Sequence, residues 1–124
     1  MGGSPGVSRI RVLLADDHAQ LREALRSLLQ TQPDLELVAE AEEGSQAVAL
    51  ARQLAPDVVV MDIRMAGMDG IEATRAIAAS CPGTRTITLS AHSSKRLIQA
   101  MVEAGASGFV PKAAVVHELA DAIR

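Results

Sequence analysis

Aromatic residues are almost missing from this sequence: Phe109 stands alone, with no Trp or Tyr among 124 residues. A core must therefore be built from Val, Ile, Leu, Met and Ala, a palette suited to buried parallel strands covered by Ala-rich helices. Cysteine is nearly absent too. The single Cys81 excludes an internal disulfide and fits a reducing compartment, hence a cytoplasmic location. With no His or second Cys nearby to activate it, Cys81 reads as a structural residue near a helix end. No run of roughly 18 apolar residues occurs, so no membrane span is expected. The twelve basic residues are scattered, the net charge is −3, and no Lys/Arg cluster interleaves with aromatics; nucleic-acid binding by this stretch alone is disfavoured. No Gly-x-Gly-x-x-Gly or Walker-type loop is present.

What is present is a regular alternation. Ile10 to Ala15 reads as a strand, and Leu21, Leu25, Leu28 and Leu29 as the stripe of a helix from Ala19, broken near Pro33. Leu35 to Ala41 is a second strand. Gly44 and Ser45 punctuate, and Val48, Ala51 and Leu54 mark a helix ending before Pro56. Val58-Val59-Val60-Met61-Asp62 is a continuous apolar run closed by a carboxylate, the signature of a strand buried on both faces. Ile71, Thr74, Ile77 and Ala78 mark a third helix, stopped by Cys81-Pro82-Gly83. Thr84 to Leu89 is a strand delivering Ser90. Leu97, Ile98, Met101 and Val102 line a fourth helix ending around Gly105. Gly108 to Lys112 is a short fifth strand, and a last helix starts near Ala114 with Val115, Val116, Leu119 and Ile123 on one face.

Strands alternating with helices over short connections imply an α/β fold, a doubly wound five-stranded parallel sheet with helices on both faces. Residues 1–7 read as a disordered lead or expression remnant, and residues 8–124 as one domain. The last helix reaches Arg124 without a C-cap signal, as a domain cut from a longer protein would.

The strand ends carry the chemistry. Asp16 and Asp17 follow the first strand, Asp62 ends the third, Ser90 the fourth and Lys112 the fifth. In a parallel sheet these ends share one edge and meet in one crevice. Each residue has an ordinary reading alone: Asp17 as a helix N-cap, Ser90 as a turn cap, Lys112 as a solvated lysine. Together they assemble three carboxylates, which repel unless a cation intervenes. Oxygen-only ligands select a hard ion such as Mg²⁺, with Mn²⁺ also admissible, and Mg²⁺ with carboxylates commonly meets substrate phosphate oxygens. Lys112 and the Ser90 hydroxyl supply a positive charge and a donor for a phosphoryl group.

Four stretches, Leu13-Leu14-Ala15-Asp16-Asp17-His18, Met61 through Gly70, Thr88-Leu89-Ser90-Ala91-His92 and Gly108-Phe109-Val110-Pro111-Lys112, in this order and at these separations, resemble the receiver domain of two-component response regulators, the CheY-like family. The resemblance covers residues 8 to 124. It implies sheet order 2-1-3-4-5 with five helices, and Asp62 as acceptor of a phosphoryl group from a sensor histidine kinase. It also implies Mg²⁺ held by Asp16, Asp17, Asp62 and the Arg64 backbone carbonyl, with phosphoryl contacts from Ser90 and Lys112. Ser90 and Phe109 would form the switch, Phe109 turning inward as Ser90 moves and altering the face of the fourth helix, fifth strand and fifth helix. Arg64, Ala91 and His92 would tune the phosphate's lifetime, small Ala91 leaving the approach to Asp62 open. Such a domain is a signalling phosphoacceptor that assists its own phosphorylation and dephosphorylation, not an enzyme acting on another substrate.

Asp16-Asp17-His18 followed by Leu21-Arg22-Glu23, and Phe109-Val110-Pro111-Lys112 without a following Pro, resemble the NarL/FixJ branch. Its members carry a C-terminal helix-turn-helix that binds DNA, so DNA would be met only through a domain outside these residues; a phosphorylation-dependent homodimer is a further expected partner. The sequence departs from the family at Ala19, Ala66 and Ala113, where Pro is common. Ala66 leaves the loop after Asp62 less restricted in φ. Alternatives are a pseudo-receiver that binds without being phosphorylated, and a receiver of a hybrid kinase. A haloacid-dehalogenase-like phosphatase wants its paired Asp residues two apart, and a flavodoxin-like protein wants a Ser/Thr/Gly-rich phosphate loop and flanking aromatics; both are disfavoured.

Overall fold

A computed structural model of the chain describes residues 9–65, 67–91 and 95–124. Residues 1–8, Ala66 and His92 through Ser94 lie outside the described residues, and with them the readings made of the N-terminal lead, of Ala66 and of His92. In chain order the elements are β1 (Ile10–Ala15), α1 (Ala19–Gln30), β2 (Leu35–Ala41), α2 (Gly44–Leu54), β3 (Val58–Asp62), α3 (Gly70–Ser80), β4 (Arg85–Ser90), α4 (Lys95–Ala104), β5 (Gly108–Pro111) and α5 (Val115–Ile123). The strands form one parallel sheet in the order β2-β1-β3-β4-β5. That is the doubly wound arrangement expected from the alternation. No described helix is long and apolar enough to cross a membrane.

Alternation along the strands sorts the core into two layers. Leu13, Ala15, Val59 and Met61 pack toward α2, α3 and α4, with Ala47, Ala51, Ala73, Ile77 and Met101. Val12, Leu14, Val58, Val60, Ile87, Leu89 and Val110 pack toward α1 and α5, with Leu25, Leu29, Val115, Leu119 and Ile123. Every residue of β3 is buried, as its continuous apolar run requires.

Several boundaries and faces differ from the sequence reading. Gly44 and Ser45 do not precede a helix but open α2, because the Gly44 N–H is used by Met68 O at 3.1 Å and the chain turns earlier. Lys112 is not in β5: Pro111 ends the strand and Lys112–Ala114 forms one 3-10 turn. Ala78, Val102 and Val116 are exposed, each one residue beyond a buried neighbour (Ile77, Met101, Val115). One helical step rotates a side chain by about 100°, enough to leave the core face. Cys81 occupies the C-cap of α3, half-buried.

Candidate phosphoryl-acceptor site

The sheet's carboxyl edge is built by strand ends that stop in register. Ala15 pairs with Met61, and Asp62 with Leu89, so Asp16, Asp62 and Ser90 emerge side by side. Asp16 is wholly buried and its backbone is held from two sides, its N–H donating to Ala41 O at 3.0 Å and its carbonyl accepting from Arg22 Nη1 at 2.7 Å. Asp17 is one-third exposed. It is not the N-cap of α1; that position is His18, which makes no side-chain capping bond.

Asp62 is 4% exposed and ends β3. The chain after it is folded back onto the sheet: Gly70 N donates to Ile63 O at 2.8 Å, and Asp69 caps α3 by accepting from Glu72 N at 2.9 Å. Gly70 is needed there because a Cβ would lie 2.0 Å from Asp62 O. Gly44 is similarly tight, its Cβ position falling 2.2 Å from Met68 O, which locks the start of α2 to the same loop.

Lys112 reaches in from the turn after β5. Its Nζ donates to Asp62 Oδ2 at 3.0 Å and lies 3.2 Å from Asp16 Oδ2. The Asp16 approach is an ion-pair contact without hydrogen-bond geometry, so Asp16 Oδ2 remains a buried oxygen with no hydrogen bond. Three carboxylates thus face one ammonium. Burial pushes the Asp62 carboxyl above the usual carboxylate range; the charges of Asp16 and Asp17 add to this, and the Lys112 hydrogen bond only partly offsets it. Burial alone would lower Lys112, but the hydrogen bond and charge of Asp62, with Asp16 beside it, outweigh that and hold the ammonium above its ordinary value.

Over these groups opens a cavity of about 240 Å³, lined by His18, Asp62, Ile63, Arg64, Ser90, Ala91, Leu97 and Lys112. The structure thus brings together Asp16, Asp17, Asp62 and Lys112, and sets Arg64, Ser90 and Ala91 around the same space. Arg64 and Ala91 are exposed on its rim, whereas Ser90 is buried as the last residue of β4. Phe109 does not line the cavity. It sits on β5 opposite Thr88 and is 44% exposed. Two participants carried no role in the sequence reading: His18, whose position directly after Asp16-Asp17 was the available signal, and Leu97, for which no local signal exists.

Residues 12–124 match the model of the response regulator receiver domain. The chain belongs to this family. As a receiver domain it is a signalling domain of two-component response regulators, a family whose members bind Mg²⁺ at an acidic pocket. The receiver is 44% identical over 115 residues to the transcriptional regulatory protein LiaR of Bacillus subtilis, across 93% of this chain and 54% of LiaR. It therefore spans about half the length of the curated relatives it matches. Among solved structures it is similar to a LuxR-family response regulator from an Aurantimonas species, with 40% identity, a TM-score of 0.87 and coverage of 94% of this chain and 83% of the other. It is also similar to the signal receiver domain of the response regulator NarL from Mycobacterium tuberculosis, with 31% identity, a TM-score of 0.84 and coverage of 94% and 97%. These relatives place the receiver among regulators of the NarL/LuxR type.

Proposed function

We propose that this receiver accepts a phosphoryl group on Asp62 from the phosphohistidine of a sensor kinase, in the cytoplasm, and passes the change to a DNA-binding output domain. The observation that carries this reading is the pairing of buried Asp62 with Lys112 Nζ at 3.0 Å, at the floor of a cavity open to a donor. A carboxylate is a competent nucleophile, and phosphoryl transfer asks a protein mainly for positioning and charge neutralisation. An Asp62 carboxylate oxygen bonds to phosphorus as the P–N bond of the donor breaks, and the electron pair of that bond returns to the donor imidazole. Lys112 moves from the carboxylate to a phosphoryl oxygen, and the Ser90 hydroxyl donates to another. Asp62 is used once per event, so the domain is a phosphoacceptor that assists its own phosphorylation and dephosphorylation.

The residues fit a divalent cation. Asp16 Oδ2 is buried without a hydrogen bond, and three carboxylates face a single lysine. Asp16, Asp17, Asp62 and the Arg64 backbone carbonyl would hold Mg²⁺, or Mn²⁺, as hard oxygen donors. Bound there, the ion supplies neutralisation of charge on the phosphoryl oxygens. Arg64, Ala91 and His92 tune how long the aspartyl phosphate lasts.

The switch follows from β4 and β5. Alternation puts Thr88 and Ser90 on one face of β4, and Phe109 is the register partner of Thr88. When Ser90 moves toward the phosphoryl group, the exposed Phe109 ring turns into the space vacated beside it. This alters a face on which α4, β5 and α5 each carry an exposed large apolar side chain, Val102, Phe109 and Val116. A second copy of the receiver is the partner we assign to that face after phosphorylation. The DNA-binding helix-turn-helix lies outside residues 8–124, a reading supported by the length of LiaR beyond the matched half.

The test is intact-mass spectrometry after incubation with acetyl phosphate, with and without Mg²⁺, on the wild type and Asp62→Ala. One Mg²⁺-dependent phosphate adduct, lost in the variant, is expected. No adduct from acetyl phosphate or from a cognate kinase would leave a pseudo-receiver as the better description.

A further inference from the structure

Oxygen is not the only donor facing the acidic pocket. His18 Nδ1 lies 3.1 Å from Asp16 Oδ1, 3.2 Å from Asp17 Oδ1 and 3.8 Å from Asp62 Oδ2. One ligand atom from each of these four side chains falls within 4.8 Å of every other. Two donors bound cis to one ion at bonds of about 2.0–2.2 Å are separated by about 3 Å, and trans donors by about 4.3 Å. The His18 separations from Asp16 and Asp17 are cis values. Independently of this cluster geometry, Asp16 Oδ2 is 0% exposed and has no hydrogen bond, although Lys112 Nζ lies 3.2 Å away on the pocket side.

We propose that His18 is a nitrogen ligand of this pocket, so that the receiver holds transition ions such as Mn²⁺ and Ni²⁺ through a mixed nitrogen and oxygen set and favours them over Mg²⁺. The proposal rests on the reading of Asp16, Asp17 and Asp62 as the oxygen ligands and adds a donor to it. Imidazole suits first-row transition ions, whereas Mg²⁺ keeps to oxygen, so one ring nitrogen shifts selectivity without adding charge. In this structure the ring's Nδ1 is hydrogen-bonded with Asp16 Oδ1 at 3.1 Å and lies 3.5 Å from Lys112 Nζ, contacts that an ion seated among these groups would replace. His18 makes no side-chain capping bond to α1, and its side chain is 66% exposed, so it follows an ion without disturbing the core. Its backbone is already placed, the His18 N–H donating to Asp16 Oδ1 at 2.7 Å.

The probe is Mn²⁺ alone, observed by pulsed electron paramagnetic resonance on the wild type, His18→Gln and Asp16→Asn, with Ni²⁺ and Mg²⁺ titrated against it. Expected are ¹⁴N modulation from a directly bound imidazole in the wild type, its loss in His18→Gln with Mn²⁺ still bound, and Ni²⁺ competition weakened about tenfold or more by that substitution. Mg²⁺ competition should change less than twofold. Bound Mn²⁺ without ¹⁴N modulation, modulation persisting in His18→Gln, or equal weakening of Ni²⁺ and Mg²⁺ overturns the role of His18. If Asp16→Asn still abolishes Mn²⁺ binding, those outcomes leave the carboxylate site standing. Failure of the wild type to bind Mn²⁺, or undiminished binding by Asp16→Asn, overturns both.

Discussion

Gly70→Ala should damage the proposed acceptor site from beneath while leaving every side chain in it unchanged. The new Cβ would stand 2.0 Å from Asp62 O and 2.9 Å from Asp62 C and Ile63 Cα, where ordinary contact begins at 3.4 Å. All three atoms are backbone, so no rotamer relieves the overlap, and the Gly70 N–H to Ile63 O bond at 2.8 Å resists separation of the two segments. Overpacking of this kind costs about 1–3 kcal/mol. The preference of a helix for Ala over Gly returns about 0.5–1 kcal/mol. A net loss of about 1–2 kcal/mol corresponds to a fall in Tm of about 4–8 °C at this chain length. The larger effect is on function. Relief requires Asp62 to shift by roughly 1 Å, a misplacement that lowers rates about 10²-fold. Far-UV circular dichroism gives the Tm, and the appearance of the phosphate adduct by intact mass gives the rate. Gly83→Ala is the control: nothing lies within 4 Å of its Cβ position, so neither quantity should fall. A Gly70→Ala protein with a wild-type Tm and a wild-type phosphorylation rate would refute the claim that this close approach positions Asp62.

Asp62→Asn should raise Tm at pH 7.5. The fold holds Asp62 above its unfolded pKa, so the ionised carboxylate opposes folding at neutral pH; the gain should shrink as pH falls through the folded value, which a Tm series against pH reads directly. Phe109→Ala should leave the phosphate adduct intact and cost less than about 1 kcal/mol, the ring being 44% exposed; phosphate-dependent association, followed by analytical ultracentrifugation, should weaken. Glu40 is held below the usual carboxylate range, chiefly by its hydrogen bond from Arg26, with Arg22 assisting. Glu40→Gln should therefore cost about 0.5–1 kcal/mol at pH 7 in chemical denaturation. That difference should be present above the unfolded pKa and vanish as pH drops through the lower folded one.

The fold was legible because its two signals agreed. β1, β2 and β3 have the bounds that their apolar runs and flanking turn residues suggest, and Asp16, Asp62 and Ser90 follow as strand ends once the sheet is parallel. Legibility failed where the deciding partner is remote in sequence. Gly44 reads as a loop residue until Met68 O is known to occupy the space of its side chain. Val102 and Val116 fit an apolar stripe by spacing, but the stripes are narrow and Met101 and Val115 already fill them. Lys112 reads as the end of a strand, yet Pro111 supplies no N–H to extend the ladder and the chain turns there. His18 has no role of its own in the sequence, where it only closes the Leu13-to-His18 stretch; its proximity to Asp62, distant in the chain, appears only when β1 and β3 pair.

The solitary Phe109 also makes the receiver a naturally single-labelled molecule. Biosynthetic replacement of phenylalanine by its 4-fluoro analogue introduces fluorine at one position only, on an edge strand with the ring 44% exposed. The ¹⁹F spectrum then reduces to the resonances of one ring. Two slowly exchanging ring positions would appear as two lines whose areas are populations, and fast exchange as one line at their weighted mean shift. The proposed phosphorylation at Asp62 would become a titration of those lines, read without a tag, a tryptophan or an assigned spectrum.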